Sequence, residues 1–164
     1  MNNPNWIRWI NASFTNHFQN FITTQNSLPS FLIGHDVNKD TLGASYAEIR
    51  LDGPHEQQKA GITWYFESYV NVRVVTMIDD KDFYAQYRND GIVAASFKNN
   101  ICVFKYGDGV DDDQSFLGTM QLITRPGKEG IIVTNWGQIL TNINAFQTTV
   151  EGHYRMYLTS PFGD

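Results

Sequence analysis

The sequence predicts an α+β domain: a central antiparallel sheet with long hairpin strands, flanked by an N-terminal amphipathic helix and a second helical segment. Three observations predict it. Near the start, Trp6, Ile7, Ile10, Phe14, Phe18, Phe21 and Ile22 recur at spacings of three, four and seven, the period of a helix with one apolar stripe. From Trp64 to Met77 the residues alternate instead: Trp64, Phe66, Ser68, Val70, Val72, Val74 and Thr76 share one face, and the other is mixed. The same two-residue period returns at Phe146, Thr148, Val150, Gly152, Tyr154, Met156 and Leu158.

Taken in order, the elements have identifiable limits. The first helix is expected from Asn5 to Thr24, opened by the Asn-Asn-Pro-Asn start and stopped by Asn26-Ser27-Leu28-Pro29. Phe31 to Gly34 can form a short strand before the polar loop HDVNKDTLG. In ASYAEIRLDGP, Ala47, Ile49 and Leu51 alternate with Tyr46, Glu48, Arg50 and Asp52 until Gly53-Pro54 breaks the pattern. A loop, DGPHEQQKAG, then returns the chain into the long strand, and the two strands are expected to pair antiparallel. After the acids Asp79 to Asp82, suited to a helix N-terminus, Phe83, Tyr84, Tyr87, Ile92, Ala94, Ala95 and Phe97 make a helical but imperfect pattern interrupted by Gly91. Strands are expected through ICVFKYG and FLGTMQLITR, separated by the acidic loop DGVDDDQS. A turn from Pro126 to Gly130 leads into IIVTNWGQIL and the last long strand.

Composition narrows the function classes. At 164 residues, with no linker, repeat or shift in composition, residues 1–164 read as a single domain large enough for its own core. A net charge of -5 with 12 dispersed Lys and Arg argues against a dedicated nucleic-acid binder, which needs clustered cations to neutralise phosphates. One cysteine, Cys102, excludes an intrachain disulfide. With no basic-then-apolar opening, synthesis in the cytoplasm is expected. No apolar run reaches the roughly 20 residues of a membrane span. Aromatic residues are 14% of the chain, enough to anchor either a core or an interface between subunits.

Residues with catalytic potential do not converge. His17, His35, His55 and His153 show no paired spacing of the kind that places two ligands on one metal, so neither a metal nor a cofactor is expected. Cys102, between Ile101 and Val103, reads as a small buried hydrophobe. The loop Asp108 to Asp113 gathers carboxylates, but their spacing does not match an EF-hand; a solvated loop is expected, with cation binding or a basic neighbouring subunit as alternatives. Asp36, Glu48 and Asp52 are acids of a loop and an exposed strand face rather than a hydrolytic pair. A hydrolase using Asp111 or Asp113 with His35 or His153 is the weakest of the three functional classes considered.

The long strands carry more information. A straight strand from Ile62 to Met77 would span roughly 50 Å. A compact chain of this length has a diameter near roughly 40 Å. Such a strand bends, is split by a bulge, or projects. A projecting aromatic hairpin would expose a sticky face and unpaired edges, which burial against copies of the same chain removes. The expected interface residues are Trp64, Phe66, Tyr69, Arg73, Tyr154 and Tyr157, divided between core and subunit contact. The alternative is a curved sheet enclosing an apolar, ligand-binding pocket lined by the same aromatics.

The order of these elements, with YAEIRLDGP ending at a Gly-Pro turn, then ICVFKYGDG and the final TTVEGHYRMYL, resembles the tail terminators and related neck proteins of tailed bacteriophages over residues 5 to 159. That resemblance implies a non-enzymatic virion protein, assembled in the host cytoplasm, whose copies form a ring, usually a hexamer. The ring caps the tail tube and joins it to the head-completion or stopper protein, with the tail sheath a further candidate partner. DNA only passes through the lumen, and no membrane is involved. It carries over no catalytic residue. The loop HDVNKDTLG, the acidic loop and the chain length exceed what the smallest terminators need, which keeps a stopper, connector or tail adaptor as alternatives.

Overall fold

The computed structural model describes residues 5–33, 45–58, 64–78, 84–106, 115–124, 130–140 and 143–158. Its α+β fold is a seven-stranded mixed sheet with helices on one face. Helix α1 (Asn5–Gln19) buries Trp6, Trp9, Ile10, Ser13, Phe14 and Phe18, the stripe set by its periodicity. A wider π-helical stretch, Asn20–Gln25, continues it and keeps Ile22 in the core. The end closes like a Schellman motif widened by one residue, in keeping with the π-helical turn before it. Ser27 takes a left-handed φ of 59°, its N–H donates to the Thr23 carbonyl at 2.9 Å, and the Leu28 N–H reaches the Ile22 carbonyl at 3.1 Å.

Strand β1 (Ser30–Leu32) lies parallel to β2 (Tyr46–Gln58), and β2 is antiparallel to β3 (Trp64–Met77). The expected break at Gly53-Pro54 is instead a bulge inside β2: the register with β3 shifts between Asp52 and His55, and pairing resumes to Gln58. Gly53 accepts the bulge because its φ is +107° and a Cβ there would lie 2.7 Å from the Glu67 carbonyl oxygen. Proline is tolerated in a bulge, where the ladder is already interrupted.

β3 is unbroken, and its register with β7 (Ile143–Leu158) runs without a shift from Trp64↔Leu158 to Met77↔Ala145. The strand is long because it is central. β2 and β7 occupy its two edges, and its face of Phe66, Val70, Val72 and Val74 is buried in the core cluster with α1 residues. The edges and apolar face expected to need neighbouring copies are therefore filled from within the chain. β7 then forks. Its first part pairs with β6 (Ile131–Leu140), and Tyr154 and Arg155 pair with β5 (Phe116–Leu122), which carries β4 (Asn100–Phe104) on its other edge.

Helix α2 (Ala85–Ser96) runs continuously through Gly91. The apolar stripe expected of it does not form: Tyr84 and Tyr87 are exposed, and the helix buries Gln86, Val93 and Ser96, followed by Phe97. The reason lies beneath it, where the sheet presents Thr76 and Thr148. Gln86 Nε2 donates to Thr148 Oγ1 at 3.2 Å, Thr148 Oγ1 donates to Asp90 Oδ2 at 3.1 Å, and Asn89 Nδ2 donates to Thr76 Oγ1 at 3.1 Å. Cys102 also departs from expectation. Ile101 and Val103 point inward, so alternation turns the thiol outward to an exposed position. No helix among the described residues is long and apolar enough to cross a membrane.

Candidate functional site

Two surfaces stand out among the described residues. The first is the sheet face opposite the helices, where β3 and β7 set complementary residues across from each other: Glu67↔Arg155, Tyr69↔His153 and Asn71↔Glu151. Glu67 is buried and accepts from Arg155 Nε at 2.9 Å and from the same guanidinium through its second nitrogen. That guanidinium also lies over the Tyr65 ring, 4.8 Å from its centroid. His153 Nε2 is 3.3 Å from Glu67 Oε2, and its ring stacks on Tyr69 with centroids 4.0 Å apart and planes 12° from parallel. Asn71 Nδ2 donates to Glu151 Oε1 at 2.6 Å, and Arg73 Nε is 3.5 Å from the buried Glu48 carboxylate.

Beside this network a cleft of about 590 Å³ is lined by Arg50, Asp52, Tyr69, Asn71, Ile132 and His153, among others. The Glu67 carboxylate is engaged by Arg155, and among the described residues no group of three His, Cys, Asp or Glu is placed to hold a metal. His55 and Asp52 approach at 3.6 Å on the exposed bulge of β2. His17 lies elsewhere, in the last turn of α1, with its Nε2 2.8 Å from the carbonyl of Ser96 at the C-terminal end of α2. His35, Asp36 and the acids Asp79 to Asp82 and Asp108 to Asp113 lie outside the described residues.

Interface candidates are split by strand alternation. Phe66 and Tyr154 face the helices and are core residues. Phe66 stacks on Trp6 at 5.6 Å, and the Tyr154 hydroxyl donates to the Lys98 carbonyl at 2.8 Å while its ring meets Phe14 edge-on. Tyr69 and Arg73 lie on the helix-free face, Tyr69 exposed and Arg73 half-buried. Trp64 and Tyr157 take part in the β3–β7 backbone ladder, and their side chains lie outside the described residues.

The second surface was not singled out by sequence: β6. It pairs with β7 alone, so its other edge meets no strand among the described residues. It exposes Ile132 (58%), Val133 (51%), Trp136 (64%) and Ile139 (39%). The Trp136 indole N–H donates to Thr149 Oγ1 at 2.9 Å. The register with β7 shifts at Asn135/Gly137 and at Gln138/Leu140, and Ile132 and Val133, adjacent in the strand before both shifts, face opposite sides by alternation. The signal was present in IIVTNWGQIL, which holds no charged residue. Soluble proteins ordinarily place charge or proline on an edge of this length.

No family model matches the chain, and no curated protein matches it. Among solved structures, one whose designation says nothing of activity matches with a TM-score of 0.56 at 16% identity, over 90% of this chain and 93% of its own. At that identity the likeness is one of fold: this α+β arrangement, over nearly its full length, recurs in another protein.

Proposed function

We propose that this chain is a structural virion protein of the tail-terminator type, whose copies close into a ring that caps the tail tube and joins it to the head-completion complex. The single observation that carries the reading is β6, a ten-residue edge strand without charge that exposes four large apolar side chains. A surface of this kind marks a contact with another protein. Its role is mechanical: the contact holds copies in fixed relation, and no residue performs chemistry. The resemblance in element order to phage neck proteins names the assembly, and the chain's acidity agrees with a lumen through which DNA passes without being gripped.

The test combines the solution mass of the purified protein across concentrations with electron microscopy after mixing it with phage tail tubes. Rings, or caps at one end of the tube, are the expected result. A strict monomer that ignores tubes refutes the proposal. The cleft beside Tyr69 and His153 favours a second reading, a ligand-binding domain, for which ligand-induced stabilisation of a monomer is the expected sign.

A further inference from the structure

Strand pairing arranges the cleft on the helix-free face in two rows of side chains. One row crosses β2, β3, β7 and β6 as Arg50, Asn71, Glu151 and Ile132. The next runs from Asp52 through Tyr69 to His153, and ends at Ile123, whose N–H donates to the His153 carbonyl at 2.8 Å. All of them line the cleft. Three strand spacings make it roughly 14 Å long. Its polar end is at β2 and its apolar end at β6, with the Tyr69 ring between them. His153 stacks on one face of that ring, which is still 45% exposed, so the other face is open.

We infer that this cleft binds an uncharged saccharide, with the Tyr69 ring as platform and Arg50, Asp52, Asn71 and Glu151 holding hydroxyl groups. This rests on the ligand-binding reading of the cleft and names its ligand class; it holds whether or not copies form a ring. The available groups select the class. Among the described residues the Arg50 guanidinium has no hydrogen-bond or ion-pair partner, and the nearest group to Asp52 is His55 at 3.6 Å. Asn71 donates to Glu151 through Oε1, which leaves Glu151 Oε2 and Asn71 Oδ1 as acceptors.

An anion bound here would lie beside two carboxylates, and a cation beside the guanidinium. A wholly apolar ligand would cover these polar groups without giving them hydrogen bonds, which costs free energy. A saccharide meets all three demands. Its hydroxyls both donate and accept, so they satisfy the guanidinium and the carboxylates together, while it carries no charge to be repelled. The polarised C–H bonds on the flat side of a sugar ring suit the electron-rich face of an aromatic side chain, and Ile123 and Ile132 continue that apolar wall.

The test is a titration of the whole protein, followed by backbone amide NMR shifts, with maltotriose and chitotriose as saccharides and with adenosine and decanoate as planar and apolar competitors. A saccharide is expected to give saturable shifts centred on Tyr69, Asn71 and Glu151. Arg50→Ala is expected to weaken that binding roughly tenfold or more, the size of one lost charged hydrogen bond. Tyr69→Ala is expected to weaken it as well. Both positions are exposed, and circular dichroism checks that each variant keeps the fold. Tyr87→Ala, which removes an exposed ring from α2 on the opposite side of the sheet, is expected to bind as wild type does. If adenosine or decanoate binds at the cleft and neither saccharide does, the saccharide inference is overturned and the ligand-binding reading stands. Saccharide binding that survives both cleft variants, or is lost equally in Tyr87→Ala, places the contact elsewhere and overturns it too. If no probe shifts the cleft residues, both the inference and the ligand-binding reading fall, and the ring reading is judged separately by sedimentation and tube capping.

Discussion

Replacing Gly152 by alanine sets two effects of known size against each other. In a strand interior, alanine in place of glycine is favoured by roughly 0.5–1 kcal/mol, because glycine loses more backbone freedom on folding. At this position a Cβ would lie 2.7 Å from Phe97 Cδ1, 2.9 Å from Cε1 and 3.2 Å from Leu122 Cδ1. The ring has to retreat to ordinary contact, and its surroundings are closed. Phe97 is buried, packs against the fully buried Phe18 with ring centroids 5.0 Å apart, and belongs to the core cluster. Overpacking of such a site typically costs roughly 1–3 kcal/mol. The clash wins, and Gly152→Ala is expected to lose roughly 1–2 kcal/mol, lowering the thermal midpoint by roughly 2–8 °C for a chain of this length. Urea unfolding followed by the fluorescence of the buried Trp6 and Trp9 measures it. Gly91→Ala is the control: the residue is exposed inside α2, and its Cβ would meet nothing within 4 Å. That variant is expected to gain up to roughly 1 kcal/mol. If Gly152→Ala is as stable as wild type while Gly91→Ala gains, Phe97 does not press on β7 and the packing described for this part of the core is wrong.

Two titrating groups give pH effects of opposite sign. Burial holds the His17 imidazole below its ordinary value of 6.5, its hydrogen bond to Ser96 raises it, and nearby Lys98 lowers it again. The unfolded chain therefore takes up the proton first, so this contribution is complete above pH 6.5 and drains as pH falls through 6.5 towards the folded value. His17→Gln is expected to flatten that part of the stability curve; a curve parallel to wild type removes the assignment. Asp90 is the converse. Burial raises its carboxyl above 3.8, partly offset by the hydrogen bond from Thr148, and Oδ1 is buried without a hydrogen-bond partner. Its contribution is present below pH 3.8 and lost as pH rises through the folded value, so the ionised form is a cost at neutral pH. Asp90→Asn is expected to raise the thermal midpoint near neutral pH, with the gain disappearing in acid. An unchanged midpoint at neutral pH counts against it.

Where the pattern is local, sequence and structure agree. The spacing of Trp6, Ile10, Phe14 and Phe18 became the buried stripe of α1, and alternation in β3 and β7 placed Phe66, Val70, Val150 and Tyr154 inward. Cys102 and α2 mark the limit. Neighbouring Ile101 and Val103 made the thiol look buried, although alternation turns it outward. Tyr84 and Tyr87, at the start of α2, looked like its inner face because aromatic residues usually pack, whereas Gln86, Asn89 and Asp90 had partners in Thr76 and Thr148 supplied by other strands. Gly53-Pro54 reads locally as a stop, yet the strand continues because β3 goes on offering a ladder beyond the bulge. Of the candidate surfaces, Tyr69 and Arg73 were legible as outward positions, while β6 was passed over because an uncharged apolar run reads as well for a central strand as for an edge.

The sequence by itself determined the element types, the inward face of each long strand, the α+β class and the acidic charge balance, because these follow from residue period and composition. Only the tertiary structure decided which strand is central and which is an edge. Strand order comes from pairing between residues far apart in the chain, such as Tyr69 with His153, and no local period encodes it. The same kinds of apolar side chain that are core in β3 are exposed surface in β6, and the difference lies in what the rest of the chain places beside them.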